Sequence, residues 1–366
     1  MKSLRLSTVM VAIPLALLAG ACGGGSSGSG GGGTSAGGTT SSGGTMTTGG
    51  TTTSGGTGGT TGGTGGTTGG TGGMTTGGGG TGGSLTPEQL RGQYLVDHVI
   101  VCGQCHTPNK ADGTPDMSLY LAGAPNWVFD YNGSDVTVNA TNLTNDDLHG
   151  LAGWTDQQIL TSLQQGTDDE AATLWPVMPY PAYAHLTPDD ANAVVAYLRT
   201  VTGNPNVVPE DLVPDPDAPA PAIDLAKVPQ TTLDPADPNY ASAQNGRYLA
   251  VVSCISCHTP ELSPGVLDMT KAFAGGRTIR RAGDPKVYTS TNITLDATGI
   301  AGWSAMDIAS AVKSNTDKTS AQLLCAPMPG GAMKLGGMSN SDLMDIGRYL
   351  STIPPVANGP FKCLPP

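Results

Sequence analysis

Residues 91–109 read RGQYLVDHVIVCGQCHTPN, and residues 245–261 read NGRYLAVVSCISCHTPE. Both carry a glycine, a Tyr-Leu pair, a Cys-x-x-Cys-His and a Thr-Pro in the same order. Four further blocks repeat downstream. TNLT at 141–144 returns as TNIT at 291–294, and GLAGWTDQQI (150–159) as GIAGWSAMDI (299–308). VMPY around Met178 returns as PMPG around Met328, and AVVAYLRT (193–200) as MDIGRYLST (344–352). The offsets lie between 149 and 152. Matched blocks in one order with so little drift mark an internal duplication. The predicted layout is copy one at 85–203 and copy two at 241–366.

Each copy reads as helical, and the expected fold class is all-α. Thr86-Pro87-Glu88-Gln89 is a helix start with proline at the first helical position, and the helix is expected to run toward Cys102. Thr155 and Ser304 cap the matched middle helices, each with Gln or Asp three residues later. Thr187 and Ser339 open the last helices, where Val194, Val195 and Leu198 form a helical stripe. No alternating strand pattern of useful length is read.

The remaining segments do not add a domain. Residues 204–240 are proline-rich and acidic, which predicts an extended, semi-rigid spacer, laid along a domain surface. Residues 22–84 hold 32 of the 55 glycines, mixed with Thr and Ser. Such a stretch cannot bury enough apolar surface to fold and is expected to be a disordered tether. Its root-mean-square span is about 40–45 Å. Residues 1–21 read as an export signal: Lys2 and Arg5, then an apolar run from Val9 to Leu18 that is too short to span a bilayer.

The seven cysteines divide into Cys22, the pairs Cys102/Cys105 and Cys254/Cys257, and Cys325 with Cys363. The two CxxCH motifs read as covalent attachment sites for two haem c groups. Two thiols one helical turn apart suit the two vinyl groups of one porphyrin. The next residue, His106 or His258, is then the proximal iron ligand. The competing reading of one such motif is a zinc or redox CxxC that happens to precede histidine. Its recurrence at matched places behind an export signal disfavours that. Buried porphyrin would also supply core volume to a chain with three Phe and four Trp.

A second iron ligand must come from the far face. His98, His149 and His185 have no histidine counterpart in the other copy, and are read as structural or surface residues. Methionine does recur. Met178 and Met328 follow the proximal histidines by 72 and 70 residues, each before a proline. Met117 and Met269 are a rival pair, 11 residues after each histidine. The first pair is read as the ligands, because thioether sulfur favours ferrous haem. The second is read as packing on the haem.

The chain here resembles class I c-type cytochromes, and more closely the periplasmic cytochrome c subunits of alcohol, aldehyde and gluconate dehydrogenases. The residues that carry the likeness are the Tyr-Leu…CxxCHT patterns at 94–107 and 248–259, TNIT, GIAGWS at 299–304, and the Met-Pro before a last helix ending YLRT or YLST. The resemblance implies two tandem cytochrome c domains, His106/Met178 and His258/Met328 ligation, and electron transfer between redox proteins. A dehydrogenase and a terminal oxidase are the partner classes it suggests. It implies a carrier, not an enzyme. Those subunits usually carry three haems and a C-terminal amphipathic anchor; this chain shows two CxxCH motifs and no such anchor.

The N-terminus resembles a bacterial lipoprotein signal. That implies an acylated Cys22, a membrane held through lipid, and a periplasmic or cell-surface location. The alternative is an ordinary cleaved signal. Cys325 and Cys363 share the oxidising compartment that attaches haem c, so a disulfide is expected. It would close a loop of about 39 residues and stabilise by ~4 kcal/mol in the chain-entropy model. Two free thiols are the alternative.

The formal net charge is −12, which argues against a nucleic-acid partner. Copy one carries 14 acids against three basic residues, and copy two 8 against 11. Unlike faces suggest unlike partners. Lys271, Arg277, Arg280, Arg281 and Lys286 are candidates for an acidic partner or for haem propionates. A dihaem peroxidase is the rival class of function. It needs one iron with an open position, whereas both copies offer methionine at the same place.

Overall fold

The structure is a computed structural model that describes residues 84–131, 134–211, 213–281, 287–318, 324, 328 and 334–361. The expected signal, almost all of the tether, and Cys22, Cys325 and Cys363 lie outside these residues. The described residues belong to one compact unit. None of its helices is long and apolar enough to cross a membrane.

Copy one opens with α1 (Pro87–Tyr94). The Thr86 hydroxyl accepts from the Gln89 amide, and the Gln89 side chain accepts from the Thr86 amide, a closed capping box. The helix does not run on as a regular α-helix. It widens into a π-helical stretch, Leu95–Val99, where the Ile100 amide reaches the Leu95 carbonyl at 2.8 Å. The widening absorbs two residues. Tyr94 stands eight before Cys102, while its counterpart Tyr248 stands six before Cys254. A π-bulge accommodates such an insertion without losing the face that follows.

After α2 (Gly103–His106) come β1 (Ala124–Tyr131), β2 (Ser134–Ala140), α3 (Asp156–Gln165), α4 (Tyr180–Tyr183) and α5 (Pro188–Leu198). Copy two follows the same order. It has α6 (Tyr240–Ser253), α7 (Ile255–His258), a short hairpin of β3 (Glu261–Ser263) and β4 (Val266–Leu267), then β5 (Thr278–Arg281), β6 (Tyr288–Thr289), α8 (Ala305–Ser314) and α9 (Asn340–Leu350). The caps expected at Thr155, Thr187, Ser304 and Ser339 each accept a backbone amide of their helix.

The all-α expectation needs correction. β1 and β2 form an antiparallel hairpin in which Tyr131 pairs with Ser134 across Asn132-Gly133. Asn-Gly between β-prone residues is the strongest short hairpin signal, and Val136 and Val138 alternate into the interior. β5 and β6 are their counterparts in copy two. The strand order β2-β1-β5-β6 joins the hairpins into one four-stranded sheet.

In each copy the first helix crosses the last, α1 on α5 and α6 on α9. Glycine sets both crossings. A Cβ on Gly92 would stand 1.8 Å from the Ala193 carbonyl oxygen, and one on Gly246 would stand 1.8 Å from that of Asp345. Helix axes come this close only where one helix has no side chain. Gly246→Ala is therefore expected to force α6 and α9 apart at a cost of about 2–3 kcal/mol. Chemical denaturation of the purified protein would measure it, and an unchanged midpoint would disprove the crossing.

The two copies pack as an internal pseudo-dimer. Val128 in β1 faces Arg280 in β5, which lies 152 positions on, the same offset that separates His106 from His258. A two-fold axis through an antiparallel pair requires this register. The side chains obey it too. The Tyr94 hydroxyl donates to Asp342 at 2.5 Å and accepts from the Ser339 amide at 3.0 Å, at the start of α9. In mirror image, the Tyr248 hydroxyl donates to Asp190 at 2.5 Å and accepts from the Thr187 amide at the start of α5. Asp190 also takes a bidentate pair from Arg91 at 2.7 and 2.8 Å. One apolar core runs through both copies, from Leu95 and Val99 to Leu249 and Tyr349.

Residues 204–240 make contacts with the rest of this unit. Ile223 and Val228 are buried. Arg247 donates to the carbonyls of Leu225, Val228 and Pro229, and the Asn139 amide donates to Asp211. Backbone groups satisfied in this way hold an extended segment without a ladder of its own.

Candidate haem sites

His106 ends α2 and His258 ends α7, both buried at 8% exposure. Each Nδ1 meets one backbone carbonyl: Thr141 at 2.7 Å for His106, and Thr291 at 2.8 Å for His258. A carbonyl only accepts, so Nδ1 carries the proton and Nε2 is left with its lone pair. Burial holds both imidazoles below their ordinary pKa, against the smaller raising effect of that hydrogen bond. Neutral imidazole with an oriented Nε2 is the form that binds iron.

The repeated TNxT blocks build this contact. Asn142 Oδ1 accepts from the amide and hydroxyl of Thr144 at 2.9 and 2.7 Å, and Asn292 Oδ1 does the same for Thr294 at 2.9 and 2.8 Å. Each asparagine then donates through Nδ2 to the chain that leaves its own copy, Asn142 to Asn204 and Asn206, Asn292 to Val356. The Thr107 hydroxyl accepts from Leu121 and that of Thr259 from Phe273. Gly123 and Gly275 donate to the carbonyls of the two histidines. Both glycines have positive φ, 85° and 71°, and a Cβ on Gly275 would meet the Thr291 carbonyl carbon at 2.4 Å. The motif was visible in the sequence; its task, aiming a carbonyl at each histidine, was not.

Cys102 and Cys105 lie at the two ends of the first turn of α2, with Cys254 and Cys257 matched to them in copy two. Burial pushes the Cys102 and Cys254 thiols up to about 12, and raises Cys257. The surroundings are apolar and favour uncharged sulfur. Cys105 packs with Trp175, Val136, Val138 and Val177. The hairpin and the loop carrying Met178 thus meet at the CxxCH of copy one. Met178 and Met328 are both half-buried against the main core. The rival methionines are less alike: Met117 is 41% exposed, while Met269 packs on the core.

Among the three other histidines, His98 Nδ1 contacts the Lys334 carbonyl at 3.1 Å and His185 Nε2 that of Ile223 at 2.7 Å, while His149 is exposed. Arg277 is also committed. It pairs with Glu261 at 2.8 Å and donates to the Ser256 carbonyl inside the second CxxCH. Lys271 stands 3.8 Å from Asp268. The side chains of Arg280, Arg281 and Lys286 lie outside the described residues.

The two sites are neighbours. Pro176, Pro179 and Pro181, around Met178, line one small cleft with Ser256 and Arg277 of copy two. A Cβ on Gly265 would stand 2.5 Å from the Pro176 Cβ. Tyr183, 6% exposed, donates to the Ile100 carbonyl at 3.1 Å. Burial first, and then Cys102, Cys105 and Cys257, push its hydroxyl well above the ordinary range, so thiols of both copies lie near one ring.

These residues fit a covalent haem: paired apolar thiols one turn apart, a buried neutral histidine with Nε2 free, and a methionine-bearing loop beside them. The cytochrome c family model matches residues 89–202. A diheme cytochrome c-type protein of Cereibacter sphaeroides is 29% identical over 292 residues, 74% of this chain and 88% of its own. The fructose dehydrogenase cytochrome subunit of Gluconobacter japonicus is 27% identical over 73% of this chain and 53% of its own. The cytochrome c subunit of the quinone alcohol dehydrogenase of Gluconobacter oxydans is 28% identical over 74% and 55%. The chain spans about half the length of these two dehydrogenase subunits. The likeness expected from the motifs is borne out: residues 89–202 match the cytochrome c family, and the relatives are a diheme cytochrome c-type protein and cytochrome subunits of dehydrogenases.

Proposed function

We propose that the chain is a dihaem electron carrier, with one haem c on Cys102 and Cys105 and a second on Cys254 and Cys257. The observation that carries this is the duplicated histidine: His106 and His258, each buried and each pinned through Nδ1 to a threonine carbonyl. A bound haem supplies a one-electron couple. The protein supplies the rest. His106 and His258 present Nε2, and Met178 and Met328 offer a soft sulfur that favours the reduced state. The shared core would keep water from bound haem, and the cleft that Pro176, Pro179 and Pro181 share with Ser256 and Arg277 supports a close approach of the two sites.

The partners are redox proteins, a dehydrogenase as donor and a terminal oxidase as acceptor. Export by residues 1–21, acylation of Cys22 in a periplasmic or cell-surface setting, and a Cys325–Cys363 disulfide complete the reading. Lys2 and Arg5, the apolar run from Val9 to Leu18 and the small residues before Cys22 support the first two, and the compartment supports the third.

A reductive titration followed by absorbance tests the function. Two electrons per chain and fully low-spin ferric haem are expected. High-spin iron in half of the haem would overturn it in favour of a peroxidase-type enzyme.

A further inference from the structure

We infer that Asp97 holds the haem of copy one at a lower midpoint potential than that of copy two, so that electrons run from copy one to copy two. The inference rests on the dihaem reading above.

The two copies differ most at one place. In copy one, Asp97 lies in the π-helical stretch and is half-buried. It accepts a hydrogen bond from the Tyr120 hydroxyl, and Tyr197 stands beside that pair. The Tyr120 ring lies against the haem-attachment turn, because a Cβ on Gly103 would stand 3.4 Å from its Cε2. Gly103 is the residue between Cys102 and Cys105 that leaves room for the ring.

Copy two has replaced the whole group. The stretch of α6 that matches the Asp97 region, Leu249–Val252, is wholly apolar and buried, and the counterparts of Gly103 and Tyr120 are Ile255 and Ala272, all at most 4% exposed. A larger Ile255 in place of glycine accompanies a smaller Ala272 in place of tyrosine. Volume is kept and the carboxylate is gone. The charges near the second CxxCH are instead Arg277 and Glu261, paired at 2.8 Å. Their copy-one counterparts are Pro125 and Asn109.

The charge has a sign and a consequence. Oxidation adds a positive charge at the iron, so a nearby carboxylate favours the ferric state and lowers the potential. The effect is strongest where water is excluded. Burial raises the Asp97 pKa, while the Tyr120 hydroxyl and His98 act to keep it ionised. The carboxylate is tied to the attachment turn through Tyr120, which it holds by its hydroxyl and whose ring lies on Gly103. With haem held at both sites, one electron would pass from the ferrous iron on His106, which would become ferric, to the ferric iron on His258, which would become ferrous.

Potentiometric titration of the full chain tests this. The wild type is expected to show two one-electron waves. Asp97→Asn should raise only the lower midpoint, shifting the exchange equilibrium between the haems about tenfold, which is 59 mV for one electron. Asp97→Glu, which keeps the charge, should restore the separation. A single wild-type wave, an unmoved lower midpoint, or a shift of the upper one would overturn the inference. A chain that binds no haem would instead overturn the function on which it rests.

Discussion

Replacing Cys102 and Cys105 together by alanine is expected to leave a chain with one covalent haem in place of the two proposed for the wild type. Both thiols sit on α2 in an apolar setting, and Cys105 packs directly with Trp175 and Val138. Nothing else in copy one can form a thioether there. Mass spectrometry of the exported protein should show one haem addition, and half of the haem absorbance should be lost. The haem on Cys254 and Cys257 should stay, because its histidine is held by its own Thr291 carbonyl. Both additions surviving would refute the assignment. Loss of both would mean that the shared core requires each haem to fold.

Met178→Ala and Met328→Ala should each lower the potential of one haem and abolish its low-spin signal. Sulfur stabilises ferrous iron, and axial ligands move haem potentials across a range of ~0.8 V, so the drop should be on the order of 100 mV. Met117→Ala and Met269→Ala should leave both potentials near wild type. Met117 is 41% exposed in the structure, and the loop after α2 that carries it is only 11 residues from His106. If the second pair produced the drop, the ligand assignment would have to be exchanged. Redox titration with optical detection of each variant decides between them.

The duplication explains why so much of the site was legible before the fold was known. Covalent chemistry needs Cys-x-x-Cys-His contiguous on one turn, so the linear sequence holds it entire. Helix caps are equally local, and all five expected starts are present because each depends on a side chain and an amide three residues apart. The β-hairpin was missed although Asn132-Gly133 announced it. Its first strand also pairs with the other copy's hairpin, a contact of high sequence separation that no local pattern shows.

The sequence by itself determined the repeat, the two CxxCH motifs and the helical frame, since the motifs and the caps are each set by residues within a turn or two of one another. Only the tertiary structure decided how the copies meet. The pseudo-two-fold axis through Val128 and Arg280, the exchange of Tyr94 and Tyr248 between helix caps, and the position of Tyr183 near both cysteine pairs join residues far apart in the chain. The same holds for the threonine carbonyls that orient the histidines, because a backbone oxygen leaves no mark in the residue alphabet. The replacement of Gly103 and Tyr120 by Ile255 and Ala272, and the absence of a carboxylate from Leu249–Val252, are written in the sequence. That these are one exchange, conserving volume while removing a charge, becomes visible only when the Tyr120 ring is seen to lie on Gly103.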